Sequence, residues 1–209
     1  MRAVLTPPLE WIGERLAAAG VRPLALTSIG WLVGVGACAA VGARLWLLGL
    51  ALWLANRLLD GLDGAVARVI GPTDRGGFLD VVADFSIYSG FLVGVAVAVP
   101  DARLACVVLL SAYYVSGTAF LALSSLLERR GAGTGDGRSL RFVGGLAEGT
   151  ETIATYVLIC LLPTHASMIA WVFAAAVAVT AAQRIEIGLR LLGEPQEAAS
   201  PHTPHLESR

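Results

Sequence analysis

The sequence predicts an all-α, polytopic membrane protein of six transmembrane helices preceded by an interfacial amphipathic helix. Three observations carry that expectation. The 209 residues are 56% hydrophobic and only 15% charged, with a mean hydropathy of +0.72, far too apolar for a water-soluble domain. The apolar residues come in runs, and six of these approach the roughly 20 residues that a helix needs to cross a bilayer. The arginines fall mostly between the runs, alternating in number from one side to the other. A net charge of -1 and the absence of lysine leave no field that would favour nucleic acid.

Taken in order, residues 7–19 suit a helix lying in the interface, with Leu9, Ile12, Leu16 and Ala17 at helical spacing opposite Glu10 and Glu14; a short frayed leader is the alternative. The N-terminal stretch carries scattered charge and no uncharged run ending at a small-residue cleavage site, so it does not read as a signal peptide. Spans are expected at 24–43, 45–66, 77–99, 102–127, 142–163 and 166–192. The glycines of "GWLVGVGACAAVGA" in the first suit close helix packing. The turn "VIGPTDRGG" should make the second and third spans antiparallel neighbours, and "GAGTGDGRS" between the fourth and fifth reads as flexible. Residues 1–193 thus form one membrane domain. Residues 194–209, polar and proline-containing, read as a disordered cytoplasmic tail, with His202 and His205 solvated in it. Cys38, Cys106 and Cys160 each stand alone in an apolar run and read as small core residues.

Short cytoplasmic loops accumulate positive charge. Arg2, Arg15 and Arg22 precede the first span, Arg68 and Arg75 follow the second, Arg129, Arg130, Arg138 and Arg141 follow the fourth, and Arg184, Arg190 and Arg209 lie in or after the last; the opposite side holds only Arg44 and Arg103. Both termini are therefore expected in the cytoplasm, in a cell (inner or plasma) membrane.

The chemistry is concentrated in "DGLDGAVAR" (60–68) and "GGFLDVVAD" (76–84). Asp60 and Asp63 are three apart and Asp80 and Asp84 four apart, so each pair shares a helix face within roughly 40–60°. Four carboxylates then converge at one end of a helix hairpin. A charged residue inside a bilayer costs about 2.5–3.5 kcal/mol on insertion scales, so something positive must offset them. Arg57 and Arg68 supply part of this, but clustered carboxylates are also the oxygen ligands that hard divalent cations use. Two cations would clamp an in-line phosphoryl transfer. Gly61 and Gly64 admit a ligand close to the backbone, and the planar fork of Arg68 suits a phosphate. The alternative is that these aspartates are solvated residues at helix ends.

These stretches resemble the signature of the CDP-alcohol phosphotransferase family, D-x-x-D-G-x-x-A-R followed by G-x-x-x-D-x-x-x-D. Asp60, Asp63, Gly64, Ala67, Arg68, Gly76, Asp80 and Asp84 match in order, with seven residues between Arg68 and Gly76 where the family has about eight. The resemblance implies that Asp60, Asp63 and Asp80 bind two metal ions, usually Mg2+ with Mn2+ as the substitute. It implies that Asp84 is the general base as well as a metal neighbour, and that Gly64, Arg68 and Thr73 contact the nucleotide. "RPLALT", the counterpart of a polar turn that also touches the nucleotide, lacks the usual Asn or Asp after its proline, so its contacts from Pro23 to Thr27 stay open. The implied reaction transfers a phosphatidyl group from a CDP-linked lipid such as CDP-diacylglycerol to an alcohol, releasing CMP, in phospholipid biosynthesis. Many members dimerise, which makes the exposed faces of the third and fourth spans the place to expect a homodimer.

The acceptor side should lie near "RFVGGLAEGTET" (141–152), which resembles a bacterial branch of the family with G-L-x-E-G-x-E-T. Members that use phosphorylated acceptors line this region with basic residues. Glu148 and Glu151, with Arg141 beside them, instead fit the hydroxyls of a polyol or an ammonium head group; a structural network with Arg138, Arg141 or Arg184 is the alternative. Arg184 and Glu186 are ambiguous, while Ser111, Tyr113, Tyr114, Ser116 and Thr118 read chiefly as helix packing. A second functional class is a cation-coupled transporter using the aspartates as its ion site. It would be expected to place carboxylates at mid-membrane in matching halves, and the second half has no counterpart of the aspartate hairpin.

Overall fold

The structure, a computed structural model, describes residues 2–130 and 149–193. All its regular elements are helical: α1 (Arg2–Ala18), α2 (Pro23–Gly42), α3 (Trp46–Ile70), α4 (Asp74–Ala98), α5 (Arg103–Arg129), α6 (Gly149–Leu161) and α7 (Ala166–Gly193). Local chemistry sets the breaks. Pro23 opens α2 at a position where its missing N–H costs nothing. Thr73 caps α4 by accepting a hydrogen bond from the Gly76 N–H at 3.1 Å. Pro100 and Pro163 each start a single 3-10 turn between long helices. Arg44 and Arg103, the two arginines expected on the far side, donate to the Ala98 and Ala96 carbonyls, satisfying groups that the end of α4 leaves open.

Among the described residues, four helices are long and apolar enough to cross a membrane: Pro23–Gly42, Asp74–Ala98, Pro100–Arg129 and Pro163–Gly193. The second and fifth expected spans fall short for different reasons. Helix α3 has the length, but Arg57, Asp60, Asp63 and Arg68 raise its charge. Helix α6 is described over 13 residues, because 142–148 lie outside the described residues. Helix α1 begins earlier than expected and packs along α3. Leu9, Leu16 and Ala17 are half-buried as the spacing predicts, whereas Ile12 faces outward beside Trp11, which carries Arg15 over its ring.

Helices α3 and α4 follow each other through a short turn, yet neither packs its backbone closely on the other; α2 packs on both. Between α3 and α4 stand large side chains. Trp53 contacts Tyr88 and Phe91 across the gap, at ring separations of 5.8 and 5.4 Å, and Tyr156 of α6 stacks on Phe91 at 4.2 Å. A short turn fixes that two helices run antiparallel, but side-chain volume decides how far apart they lie. Helix α2 can approach α4 because Gly94 has no side chain: a Cβ there would stand 2.6 Å from the Cys38 carbonyl oxygen. In lipid such packing and interhelical hydrogen bonding, rather than escape from water, hold helices together. Helices α5 and α7 pack along each other, and α6 joins α3 and α7. Cys106 and Cys160 are buried in the same core and Cys38 packs against it.

Candidate active site

The aspartates lie in the C-terminal half of α3 and the N-terminal half of α4. Asp60, Asp63, Asp80 and Asp84 all line one small cavity, together with Thr27 of α2 and Asn56 of α3. The helical spacings therefore do bring the four carboxylates together. The cavity holds only about 10 Å³, barely the space for one water molecule. Asp63, 6% exposed, accepts a hydrogen bond from the Thr27 hydroxyl. Asp84 accepts from Arg57 Nη2 at 2.8 Å, and Arg57 Nη1 stands 3.8 Å from Asp60 Oδ2. With these carboxylates held by protein partners, no three Asp, Glu, His or Cys side chains among the described residues form a ready metal cage. The donor set itself suits a hard cation. It is all oxygen, its carboxylates outnumber the guanidinium facing them, and such a set is what divalent cations of the magnesium type select.

None of the nucleotide candidates Gly64, Arg68 and Thr73 lines this cavity; Gly64 directly follows Asp63 in α3. Arg68 folds back over Gly64, its Nη1 3.5 Å from where a Cβ on that glycine would be, so the two share a face one turn apart. Arg68 and Thr73 are exposed. The Thr73 hydroxyl has a structural task as well, since it is the cap of α4.

The acceptor candidates are described only in part. Arg141 and Glu148 lie outside the described residues, as do Arg138 and the glycine-rich connection. Glu151 is exposed in the first turn of α6. Its neighbours Gly149 and Thr152 line a cavity of about 640 Å³ between α4, α5, α6 and α7, which Ser86, Tyr113, Ser116 and Arg184 also border. Tyr113 hydrogen-bonds Thr152 at 3.1 Å and Arg184 donates to Ser116 Oγ at 2.9 Å, so the hydroxyls of α5 both tie helices together and line a cavity. Glu186 pairs with Arg190 on the exposed side of α7.

Sequence reasoning passed over two groups. Asn56, 3% exposed, donates to the Gly30 carbonyl and accepts from Arg57. Tyr88 accepts from Arg57. The signal for Asn56 was present: an amide inside an apolar run needs partners and marks a polar site. An apolar groove of about 500 Å³ runs between α2 and α4, with Leu24, Leu32, Leu79 and Val82 among its walls. It meets the aspartate cavity at Thr27, Trp31 and Ala83, which border both.

No family model matches the chain. Over 187 residues it is 40% identical to inner membrane protein YnjF of Escherichia coli (strain K12), spanning 88% of this chain and 91% of that protein. It is 36% identical over 97 residues to the archaetidylinositol phosphate synthase of Pyrococcus horikoshii, spanning 46% of this chain and 52% of that one. In fold it is similar to crystal structures of Mycobacterium tuberculosis phosphatidylinositol phosphate synthase (PgsA1). The complex with manganese and citrate has a TM-score of 0.66 at 22% identity, covering 86% of this chain and 88% of that chain. The form with CDP-DAG bound has a TM-score of 0.62 at 22% identity, covering 87% and 93%. Matched to YnjF along nearly its whole length, to an archaetidylinositol phosphate synthase through half of that protein, and to PgsA1 in fold, this membrane protein belongs to the CDP-alcohol phosphotransferase family.

Proposed function

We propose that the chain is a phosphatidyltransferase, an enzyme that moves the phosphatidyl group of a CDP-linked lipid, CDP-diacylglycerol or a close relative, onto the hydroxyl of an alcohol and releases CMP. The observation that carries this reading is the junction of two environments. A four-carboxylate cavity opens beside an apolar groove between α2 and α4, so a lipid diphosphate can lay its chains in one and its phosphates against the other. The synthases to which the chain is similar support the same reaction class.

Asp60, Asp63, Asp80 and Asp84 would hold two divalent cations, Mg2+ or Mn2+, which when bound neutralise the diphosphate and the departing CMP. Arg68 and Gly64 hold the nucleotide end, with Thr73 as a further contact. Asp84 takes the proton from the acceptor hydroxyl. The freed oxygen forms a bond to the phosphorus that carries the lipid, and the bond from that phosphorus to the bridging oxygen breaks, its electrons leaving with CMP. No covalent enzyme intermediate is required. Glu148, Glu151 and Arg141 are the candidates for binding the acceptor, and the two glutamate carboxylates favour hydroxyl or ammonium groups over a phosphate.

In the membrane, α3 and the segment that contains α6 are the two further spans, giving six. Helix α1 lies in the interface, where Trp11, 54% exposed, is at home. The arginine distribution supports a cytoplasmic position for both termini and the aspartate cavity, and the outer faces of α4 and α5 are where two copies would meet. A transporter reading has less support, since the carboxylates gather at one end of the bundle.

The test is purified protein given CDP-diacylglycerol and a panel of alcohols, including glycerol 3-phosphate, inositol, serine and ethanolamine, with CMP release followed with and without magnesium. Magnesium-dependent release with at least one acceptor is expected. Release without the metal, or none with any acceptor, overturns the reading.

A further inference from the structure

The proposed transfer reaction uses Asp84 but does not explain why a buried arginine is held against two of the cavity's carboxylates, Asp60 and Asp84. Arg57 is 8% exposed at its side chain, so its charge is largely removed from water and needs fixed partners. Its fork has them on every side. Nε and Nη2 donate to Asn56 Oδ1 at 2.9 and 2.7 Å. Nη1 donates to the Tyr88 hydroxyl at 2.8 Å and faces Asp60 at 3.8 Å. Nη2 also donates to Asp84 Oδ1 at 2.8 Å. The rings of Trp53 and Tyr88 flank the guanidinium, each 4.9 Å from its carbon. Asn56 is itself anchored, through Nδ2, to the Gly30 carbonyl on α2 at 2.8 Å. The network joins α2, α3 and α4, and Arg57 cannot swing toward a ligand without breaking several of these bonds.

We propose that Arg57 is a positioning residue for Asp84. Held by Asn56 and Tyr88, it engages one carboxylate oxygen, Oδ1, and so turns the other, Oδ2, toward the acceptor hydroxyl. This rests on the reading of Asp84 as the base. Arg57 itself does not touch the substrate; its fixed charge orients the group that does and offsets part of the repulsion among the carboxylates. Lysine cannot replace it, because a single ammonium that reaches Asp84 gives up the planar fork that Asn56 and Tyr88 hold.

A double-mutant cycle tests this, using Arg57→Gln, Asp84→Asn and the pair, with Arg57→Lys and Tyr88→Phe alongside. CMP release gives kcat and the KM for CDP-diacylglycerol, and electron paramagnetic resonance of added Mn2+ reports metal binding without turnover. Arg57→Gln is expected to lower kcat about 100-fold, the scale of a misplaced catalytic group, with the donor KM and Mn2+ affinity within about threefold. Arg57→Lys recovers little of that loss. Tyr88→Phe, which removes one tether and no charge, lowers kcat about threefold at unchanged KM. The double variant is no slower than Asp84→Asn alone, because two residues acting through one step are not additive. Multiplying losses, or a raised KM at unchanged kcat, would overturn the proposal. If the wild type releases no CMP, it is the transferase reading that fails. The cycle is then read from melting temperatures, where a double loss smaller than the sum supports the Arg57–Asp84 link and an additive loss refutes it.

Discussion

Replacing Asp84 with asparagine separates the chemistry of this site from its architecture. Asp84 sits at 27% side-chain exposure with one oxygen 2.8 Å from Arg57 Nη2. Asparagine has the same shape and can still present an oxygen to that guanidinium, so the side-chain link between α3 and α4 is retained. What it loses is the capacity to take a proton from the acceptor. General-base removal costs about 10²–10⁴ in rate, or about 3–5 kcal/mol of barrier at 1.36 kcal/mol per decade. The stability cost should be far smaller than the catalytic one, because Arg57 keeps Asn56 and Tyr88 as partners. The assay is CMP release by detergent-purified protein at saturating CDP-diacylglycerol, with donor binding followed separately by CMP competition. Unchanged CMP affinity with turnover down by at least a hundredfold is expected. Turnover within fivefold of the wild type would refute the assignment of Asp84 as the base.

Three further outcomes follow from the geometry. Gly94→Val forces a side chain into a backbone contact that has only 2.6 Å to offer, and the melting temperature in detergent should drop by the equivalent of about 1–3 kcal/mol; wild-type melting would mean that α2 and α4 are not packed this closely. Thr73→Ala removes the cap of α4, worth about 1 kcal/mol, and should also raise the KM for the donor, while Thr73→Ser preserves both; a stability loss with an unchanged KM would leave Thr73 a cap and nothing more. Leu79→Trp fills the groove between α2 and α4 and should raise the KM for long-chain CDP-diacylglycerol more than for a short-chain analogue, and an equal effect on both would place the acyl chains elsewhere.

How much of this was legible in the sequence depended on whether a feature had a period. The helices expected at 24–43, 45–66, 77–99 and 102–127 are present as Pro23–Gly42, Trp46–Ile70, Asp74–Ala98 and Arg103–Arg129, because prolines, the Thr73 cap and apolar runs mark their ends. The convergence of Asp60 and Asp63 with Asp80 and Asp84 on one cavity was legible too, since three- and four-residue spacings fix a helix face before any tertiary contact is known. The distance between α3 and α4 was not, because it depends on where Trp53, Tyr88, Phe91 and Tyr156 meet, and those residues come from three helices. Thr27 and Asn56 were hard to single out for a related reason. Each is an uncharged polar residue with no periodic partner in its own helix, and its importance comes from a partner 36 or 26 residues away.

The central claim is that the aspartate cavity makes phospholipid by exchanging CMP for an alcohol. Proteoliposomes containing the purified protein, CDP-diacylglycerol labelled in its lipid phosphate, and the acceptor found in the alcohol panel provide the direct measurement. The label should pass into a new phospholipid with one CMP released per molecule formed. The transfer should stop when EDTA removes the divalent cation and resume when magnesium or manganese is restored. Label that stays in the donor with this acceptor, or that appears in phosphatidate with water as the only acceptor, would contradict it.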